Sequence, residues 1–437
     1  LSDSVIGLNE RICTKGGFEM TADWERLLLA YLHDPPDKAL GIHGHVERAC
    51  RYAGMVLNRP VNHDEMKELA DVLASVAERL SAPRWEILTV NPDNGRLTVK
   101  HPLSGKEKLL ENGHLDEDGV GKEINIVLQD VGDNRQWRLL ALWRLLPERL
   151  ATKHSWFAHL PADTRIPDHT IWHHLDVTAA FKATESGGRG AALLTFAIGP
   201  VQRFIEAARS VRDLWSGSMI LSWLAFRAML PVIEQFGPAA LVYPVLRDIP
   251  LLDLWLRDAQ RLGGKVPLPP TELRLTPSLP HRFLALVPWG ANGETAQRFA
   301  AECQQAADRA VKELAGEVKT AIKRRLDDIC PGWDKRWDSQ IKNYFRFSTA
   351  VLPLAGSGEE VDGRLARLLA GTNAFKDAFP NAEAVRELAR AIPQNDRPSY
   401  DQDHAGRWQY QVELVQRSLA AHRTIRHVPP NSPVNAG

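Results

Sequence analysis

A short glycine-rich polar stretch, residues 185–190 (ESGGRG), limits the folds open to this sequence more than any other feature, because the hydrophobic rhythm differs on its two sides. Before it, apolar residues recur at helical spacing. Residues 22–33 (ADWERLLLAYLH), 44–57, 64–80, 134–150 and 170–183 each predict a helix. After it the pattern becomes strand, long helix, strand. Residues 191–198 (AALLTFAI) form the short apolar run of a buried strand, Gly199 and Pro200 mark a turn, and residues 201–230 predict one long amphipathic helix. Residues 240–243 and 281–287 predict further strands, residues 295–328 a long charged helix, and the chain from about Asp334 onward mostly helix.

These rhythms together predict an α+β fold: a mostly helical domain, then a sandwich of the ferredoxin type with helical additions. The expected boundaries are an extension without regular structure at 1–19, a helical domain at 20–184, an α+β domain at 191–350 and a helical segment at 351–437. Met20 is the expected natural start, and the tail at 428–437 (VPPNSPVNAG), with three prolines, predicts no regular element. Residues 85–130 break the helical rhythm. There WEILTV, the turn NPDNG and RLTVKHPL predict a hairpin, in a small insertion.

Lys+Arg and Asp+Glu are equal at 54 each, which argues against a strongly basic nucleic-acid coat and leaves room for a local basic groove. The four cysteines, Cys13, Cys50, Cys303 and Cys330, form no CxxC pair, so they build no zinc ribbon and are expected as small buried hydrophobes. No uninterrupted apolar run reaches eighteen residues and no signal peptide pattern opens the chain, so the expectation is no membrane span and a cytoplasmic setting.

The residues that carry chemistry are concentrated before the glycine-rich stretch. The helix at 22–33 must stop at Pro35–Pro36, which leaves His33 and Asp34 side by side at its end. An imidazole nitrogen and a carboxylate oxygen can share one divalent cation. In HDPPDK, Lys38 is in reach of the same place and able to meet a phosphate or a transition-state anion. Further candidates are His43 and His45 in GIHGHVERA, and Asp71, Glu78 and Arg79 in ADVLASVAERL. Asp71 and Glu78, seven apart, share a helix face. A third stretch, PADTRIPDHTIWHHLDVTAA, crowds Asp163, Arg165, Asp168, His169, His173, His174 and Asp176 together. His169 and His173 would align on a helix; Asp168 would serve equally well as the cap of a helix beginning near His169.

The block at 33–38 resembles the HD motif of metal-dependent phosphohydrolases. LLLAYLHDPPDKALGIHGHVERA, ADVLASVAERL and LPADTRIPDHTIWHHLDVTAAF resemble, in that order, three segments of the circularly permuted HD domain in the large subunit of type III CRISPR complexes. LLTFAIGPVQRFIEAARSVRDLWSGSMILSWL, LVYPVLRDIPLLDLWL and SLPHRFLALVP resemble the first palm-like domain of the Cmr-type (III-B) large subunit.

The resemblance implies metal ligands at His33, Asp34, Asp71 and His174, with His45, His169 and Asp168 as outer or second-metal groups. It implies metal-assisted hydrolysis of single-stranded DNA, with manganese, nickel or magnesium as the ion and Lys38 assisting. The implied partners are the other Cmr-type subunits, guide RNA and target RNA, with no membrane. Arg209, Arg212 and Ser218, on RSVRDLWSGS beside Trp215, would face a nucleotide site; the plainer alternative puts Trp215 in the core and Arg212 on the surface. The family's GGDD motif, which binds metal and ATP and makes cyclic oligoadenylates, does not occur in this sequence, so no such synthesis is expected from this chain by itself. Two other classes stay open: a generic HD phosphohydrolase acting on nucleotides, and an architectural subunit with an inactive site.

Overall fold

The structure is a computed structural model. It describes residues 23–41, 43–67, 69–78, 96–100, 106–111, 119–164, 167–187, 190–326, 330–342, 344–354, 379, 380, 384, 387 and 407–424. The expected extension at 1–19, the tail at 428–437 and the greater part of 351–406 lie outside the described residues.

Helix α1, Trp24–Leu32, starts where Asp23 accepts the Arg26 amide at 3.2 Å and buries Leu27, Leu28, Tyr31 and Leu32. It ends at His33 as the prolines require. Helices α2, His45–Leu57, and α3, Leu69–Glu78, follow. The expected hairpin is present in altered form: strand β1, Arg96–Lys100, pairs antiparallel with β2, Glu107–Glu111. The strand and turn anticipated at 85–95 lie outside the described residues. The same insertion also holds a helix, α4, Gly119–Leu128. Helix α5, Arg135–Lys153, is capped by Asn134 and buries a continuous run from Arg138 to Pro147. Helix α6, Ile171–Thr184, completes this region.

The sheet region begins with β3, Ala191–Gly199. The single helix expected over 201–230 is two: a short α7, Val201–Glu206, and a long α8, Val211–Phe236. Ser210 causes the break, because its hydroxyl accepts the Asp213 amide at 3.2 Å and restarts the helix as a cap. Then come β4, Leu241–Tyr243, α9, Pro250–Leu256, α10, Thr271–Arg274, β5, Arg282–Pro288, and α11, Glu294–Arg325. Gly293 precedes α11 at φ +85°, and a Cβ there would fall 2.5 Å from the Trp289 ring, so only glycine fits. Beyond α11 the expectation of mostly helix needs correcting. After α12, Trp333–Ile341, strand β6, Arg346–Pro353, runs across position 350 and joins the sheet, and helix α13 spans Arg407–Thr424.

The sheet order is β4-β5-β3-β6, antiparallel throughout, within a strand–helix–strand–strand–helix–strand sequence. Both faces are covered, which is why β3 reads as an unbroken apolar run. Its even-numbered residues Ala192, Leu194, Phe196 and Ile198 pack with Leu224, Phe236 and Phe299 of α8 and α11. Leu193 and Ala197 face the other way, with Ala180 and Phe181 of α6, Ala70 and Ala74 of α3, and Val415 and Leu419 of α13. Helix α6 therefore lies on the sheet with α3 packed beside it, and one cluster of buried residues runs through both regions.

Two further expectations change. Helix α8 is long and apolar enough to cross a membrane by length and composition, at mean hydropathy 1.4, although scattered polar residues leave no uninterrupted apolar run. Some 61% of its apolar window is buried against the rest of the protein, as in the core helix of a globular domain. Of the cysteines described, Cys303 is buried as expected, but Cys50 is half-buried and Cys330 exposed.

Candidate metal centre

The end of α1, the start of α3 and the first turn of α6 meet at one point. His33 Nδ1 donates to the Ala30 carbonyl at 2.8 Å, since a carbonyl can only accept; this leaves Nε2 as the free lone pair. That Nε2 lies 3.2 Å from His174 Nε2. Both nitrogens lie 3.5 Å from Asp34 Oδ2. Asp71 Oδ1 stands 3.2 Å from His174 Nε2 and near the Ser75 hydroxyl. Lys38 Nζ donates to Asp34 Oδ2 at 2.5 Å.

Local structure holds these groups. The chain entering α6 is tied down by a bridge between Pro161 and Thr170, with the Ile171 amide donating to the Leu160 carbonyl at 2.9 Å. The cap of α6 is Thr170, whose side chain accepts the His173 amide at 3.3 Å. The alternative of Asp168 as cap is thereby corrected: its carboxylate accepts from His169 Nδ1 at 2.6 Å. His169 precedes the helix, so the expected His169–His173 alignment on a helical face is replaced by an edge contact of their rings at 6.0 Å.

Burial shapes the electrostatics. His33, Asp34 and His174 are buried, whereas the Asp71 side chain is 44% exposed and forms the mouth of the site. Burial pushes the Asp34 carboxyl up. The hydrogen bond to His174 and the charges of His33 and Lys38 outweigh this and hold it far below the usual carboxylate range. Asp71 is lowered in the same way, with burial opposed by the His174 hydrogen bond and the His33 charge. Burial, with some repulsion from His174, lowers His33 against the pull of Asp34 and Asp71, which favours the neutral imidazole that a metal needs.

The donor set fits a divalent cation. Ligand atoms of His33, Asp34 and His174 all lie within 4.8 Å of one another. Atoms bound to one ion at about 2.0–2.2 Å sit roughly 3.0–3.5 Å apart, matching the separations here. Two imidazoles and two carboxylates form a donor set of the mixed N/O kind that suits a borderline divalent ion.

The other candidates are placed differently. His45 opens α2, half-buried, and neither it nor His169 belongs to the mutually close ligand set. His43 is exposed. The Glu78 side chain, Arg79 and Arg165 lie outside the description. Asp176 pairs with Arg247 at 2.8 Å. Arg209 and Arg212 are exposed at the start of α8, and the Ser218 hydroxyl donates to the Leu214 carbonyl at 3.0 Å. Trp215 belongs to the surface and not to the core: it is 36% exposed, and its indole donates to the Leu275 carbonyl at 2.7 Å. Sequence reasoning missed two buried ion pairs that tie the regions together, Asp176–Arg247 and the two-pronged Arg144–Asp253 at 2.6 and 2.9 Å. Their partners are 71 and 109 residues apart, so no local pattern announces them.

Comparison with known proteins bears on this architecture. Residues 193–330 match the family model described as CRISPR-associated protein Cmr2, N-terminal. The CRISPR system Cmr subunit Cmr2 of Pyrococcus furiosus is 30% identical over 335 residues, covering 64% of this chain and 36% of that protein. Among solved structures, a chain of a type III-B Cmr-beta complex in its apo state has a TM-score of 0.58 at 19% identity, over 91% of this chain and 40% of that one. A chain of Cmr-beta bound to cognate target RNA has a TM-score of 0.50 at 19% identity, over 75% of this chain and 36% of that one. The fold is shared with these chains of Cmr-beta complexes. Residues 193–330 are thus similar to the Cmr2 family of type III-B complexes, and the chain spans about two fifths or less of the length of these relatives. The family match covers the sheet region from β3 to α11 and includes none of His33, Asp34, Asp71 and His174.

Proposed function

We propose that residues 20–184 are an HD nuclease domain in which His33, Asp34, Asp71 and His174 hold a divalent cation, and that residues 191–350 with the rest of β6 are a ferredoxin-like palm domain supporting it. The reading rests on one observation: His33 and His174 meet nitrogen to nitrogen across 141 residues of chain, with Asp34 and Asp71 at the same point. Manganese, nickel or magnesium suits the mixed donors. When bound, such an ion supplies an activated water and neutralises charge on a phosphodiester. Lys38 holds Asp34 and is partly open to solvent, so it can turn its charge towards an incoming phosphate. Asp71 keeps the mouth negative and open, while the buried His33 side excludes bulk water.

The substrate in this reading is single-stranded DNA. The setting is a cytoplasmic Cmr-type complex with its other subunits, guide RNA and target RNA. The match of residues 193–330 to the Cmr2 family supports it, as does the Cmr-beta setting of the similar solved chains. His45, His169 and Asp168 would act as outer groups; Arg209, Arg212 and Ser218 would line a nucleotide-facing surface.

The test is cleavage of single-stranded DNA with manganese, by the protein alone and in the assembled complex, with Asp34→Asn as control. Cleavage that the substitution abolishes is the expected result. Hydrolysis of free nucleotides in preference to DNA would point to a generic phosphohydrolase, and no cleavage in either setting to an architectural subunit.

A further inference from the structure

Arg247 lies in the loop between β4 and α9, in the sheet region, yet its side chain ends among the helices that carry the metal ligands. Its Nη2 donates to Asp176 Oδ1 at 2.8 Å and its Nε to the Trp143 carbonyl at 3.1 Å. The guanidinium also sits over the Trp143 ring, 4.7 Å from its centre. The pair is mostly buried, with 16% of the Arg247 side chain and 13% of Asp176 exposed.

Asp176 follows His174 by two residues on α6, and Tyr31 precedes His33 by two at the end of α1. Two residues on a helix rotate the side chain by about 200°. Each helix therefore turns a metal ligand towards the site and a second residue out of its opposite side. The second residues meet at Arg247. Tyr31 is fully buried, and the charges of Arg247 and Asp176 both act on its hydroxyl. Beside this cluster is a cavity of about 150 Å³ lined by Trp143, His173, Asp176, Val177 and Leu246. Beside the apolar packing of α6 on the sheet, the Asp176 side of the helix is thus held by a charged strut next to a void.

We propose that Arg247 is a positioning residue of the metal centre: it braces the rear of α1 and α6 from the sheet region and so maintains the spacing of His33 and His174. This rests on the metal-centre reading. It adds that the sheet region controls metal affinity through one side chain. A shift of the β4–α9 loop would slacken α6 into the adjoining void and weaken the ion's hold.

The test is manganese binding followed by electron paramagnetic resonance, on the full chain and on Arg247→Ala, Arg247→Lys, Asp176→Asn and Asp253→Asn, with thermal unfolding of each. Loss of an outer partner that orients ligands typically weakens metal binding ~10–100-fold. Arg247→Ala and Asp176→Asn are expected to weaken manganese binding by about tenfold or more, with Arg247→Lys in between. Asp253→Asn also breaks a buried pair between the regions, but away from α1 and α6, and is expected to lower thermal stability and leave manganese affinity unchanged. Wild-type affinity in both Arg247→Ala and Asp176→Asn would overturn the inference alone. So would an equal loss in Asp253→Asn, since any loosening of the regions would then suffice. If Arg247→Ala does not fold, the near-isosteric Asp176→Asn decides. No manganese binding by the wild-type chain would overturn the metal centre and the inference together.

Discussion

The helical region and the sheet region bury different things. In the helical region, the buried residues include His33, Asp34, Glu123, Arg138, Arg144 and His174. In the sheet region the interior is mostly apolar on both faces; among the described residues its buried Asp253 and mostly buried Arg247 are paired with Arg144 and Asp176 of the helical region. Buried charge lowers stability unless it is paired or serves a ligand. His33, Asp34 and His174 meet at α1 and α6 beside a mostly apolar sheet, which separates a site from a scaffold.

Substitutions on the two sides should therefore fail in different ways. The largest effect is expected from Asp34→Asn, which removes the oxygen shared by both imidazoles and Lys38. Single-stranded DNA cleavage should fall by more than the roughly 100-fold seen when only an outer partner is lost, while thermal unfolding shows the protein still folded. Phe196→Ala should do the reverse. It deletes a fully buried ring between two stacked neighbours, Phe283 and Phe347, and should cost about 3–5 kcal/mol in denaturant unfolding, with manganese affinity of the folded protein unchanged. A smaller effect follows Thr170→Ala, which removes the cap of α6: about 1 kcal/mol by the same measurement, with some loss of manganese affinity because His174 sits in the first turns. The smallest is expected at Arg209→Ala and Arg212→Ala, both exposed, where stability should stay within about 0.5 kcal/mol and manganese binding should not change. If Phe196→Ala abolished metal binding in protein that remained folded, the division between site and scaffold would not hold.

Much of this was legible where local physics decides the structure. The Pro35–Pro36 stop places His33 and Asp34 at a helix end, and the apolar run of β3 reads as a strand buried on both faces. Legibility failed where two local signals competed or where only distant contacts decide. Asp168 and Thr170 are both good caps, and the bridge from Pro161 to Thr170 settles the choice. Ser210 interrupts an otherwise continuous helical pattern. β6 is half-buried and follows charged helical sequence, so its apolar signal is weak. Helix α4 is hidden by the strands that precede it. The four convergent residues were reached through a resemblance, because spacing alone does not show that positions 33, 71 and 174 share a point. Arg247 and Asp176 carry no sequence signal of their meeting at all.

The central claim is that one cation is shared by imidazoles from the two ends of the helical region. Calorimetric titration of manganese into the wild-type chain, His33→Ala and His174→Ala tests it most directly. The account predicts binding to the wild type that either substitution removes. Binding that survives intact in either variant would contradict it.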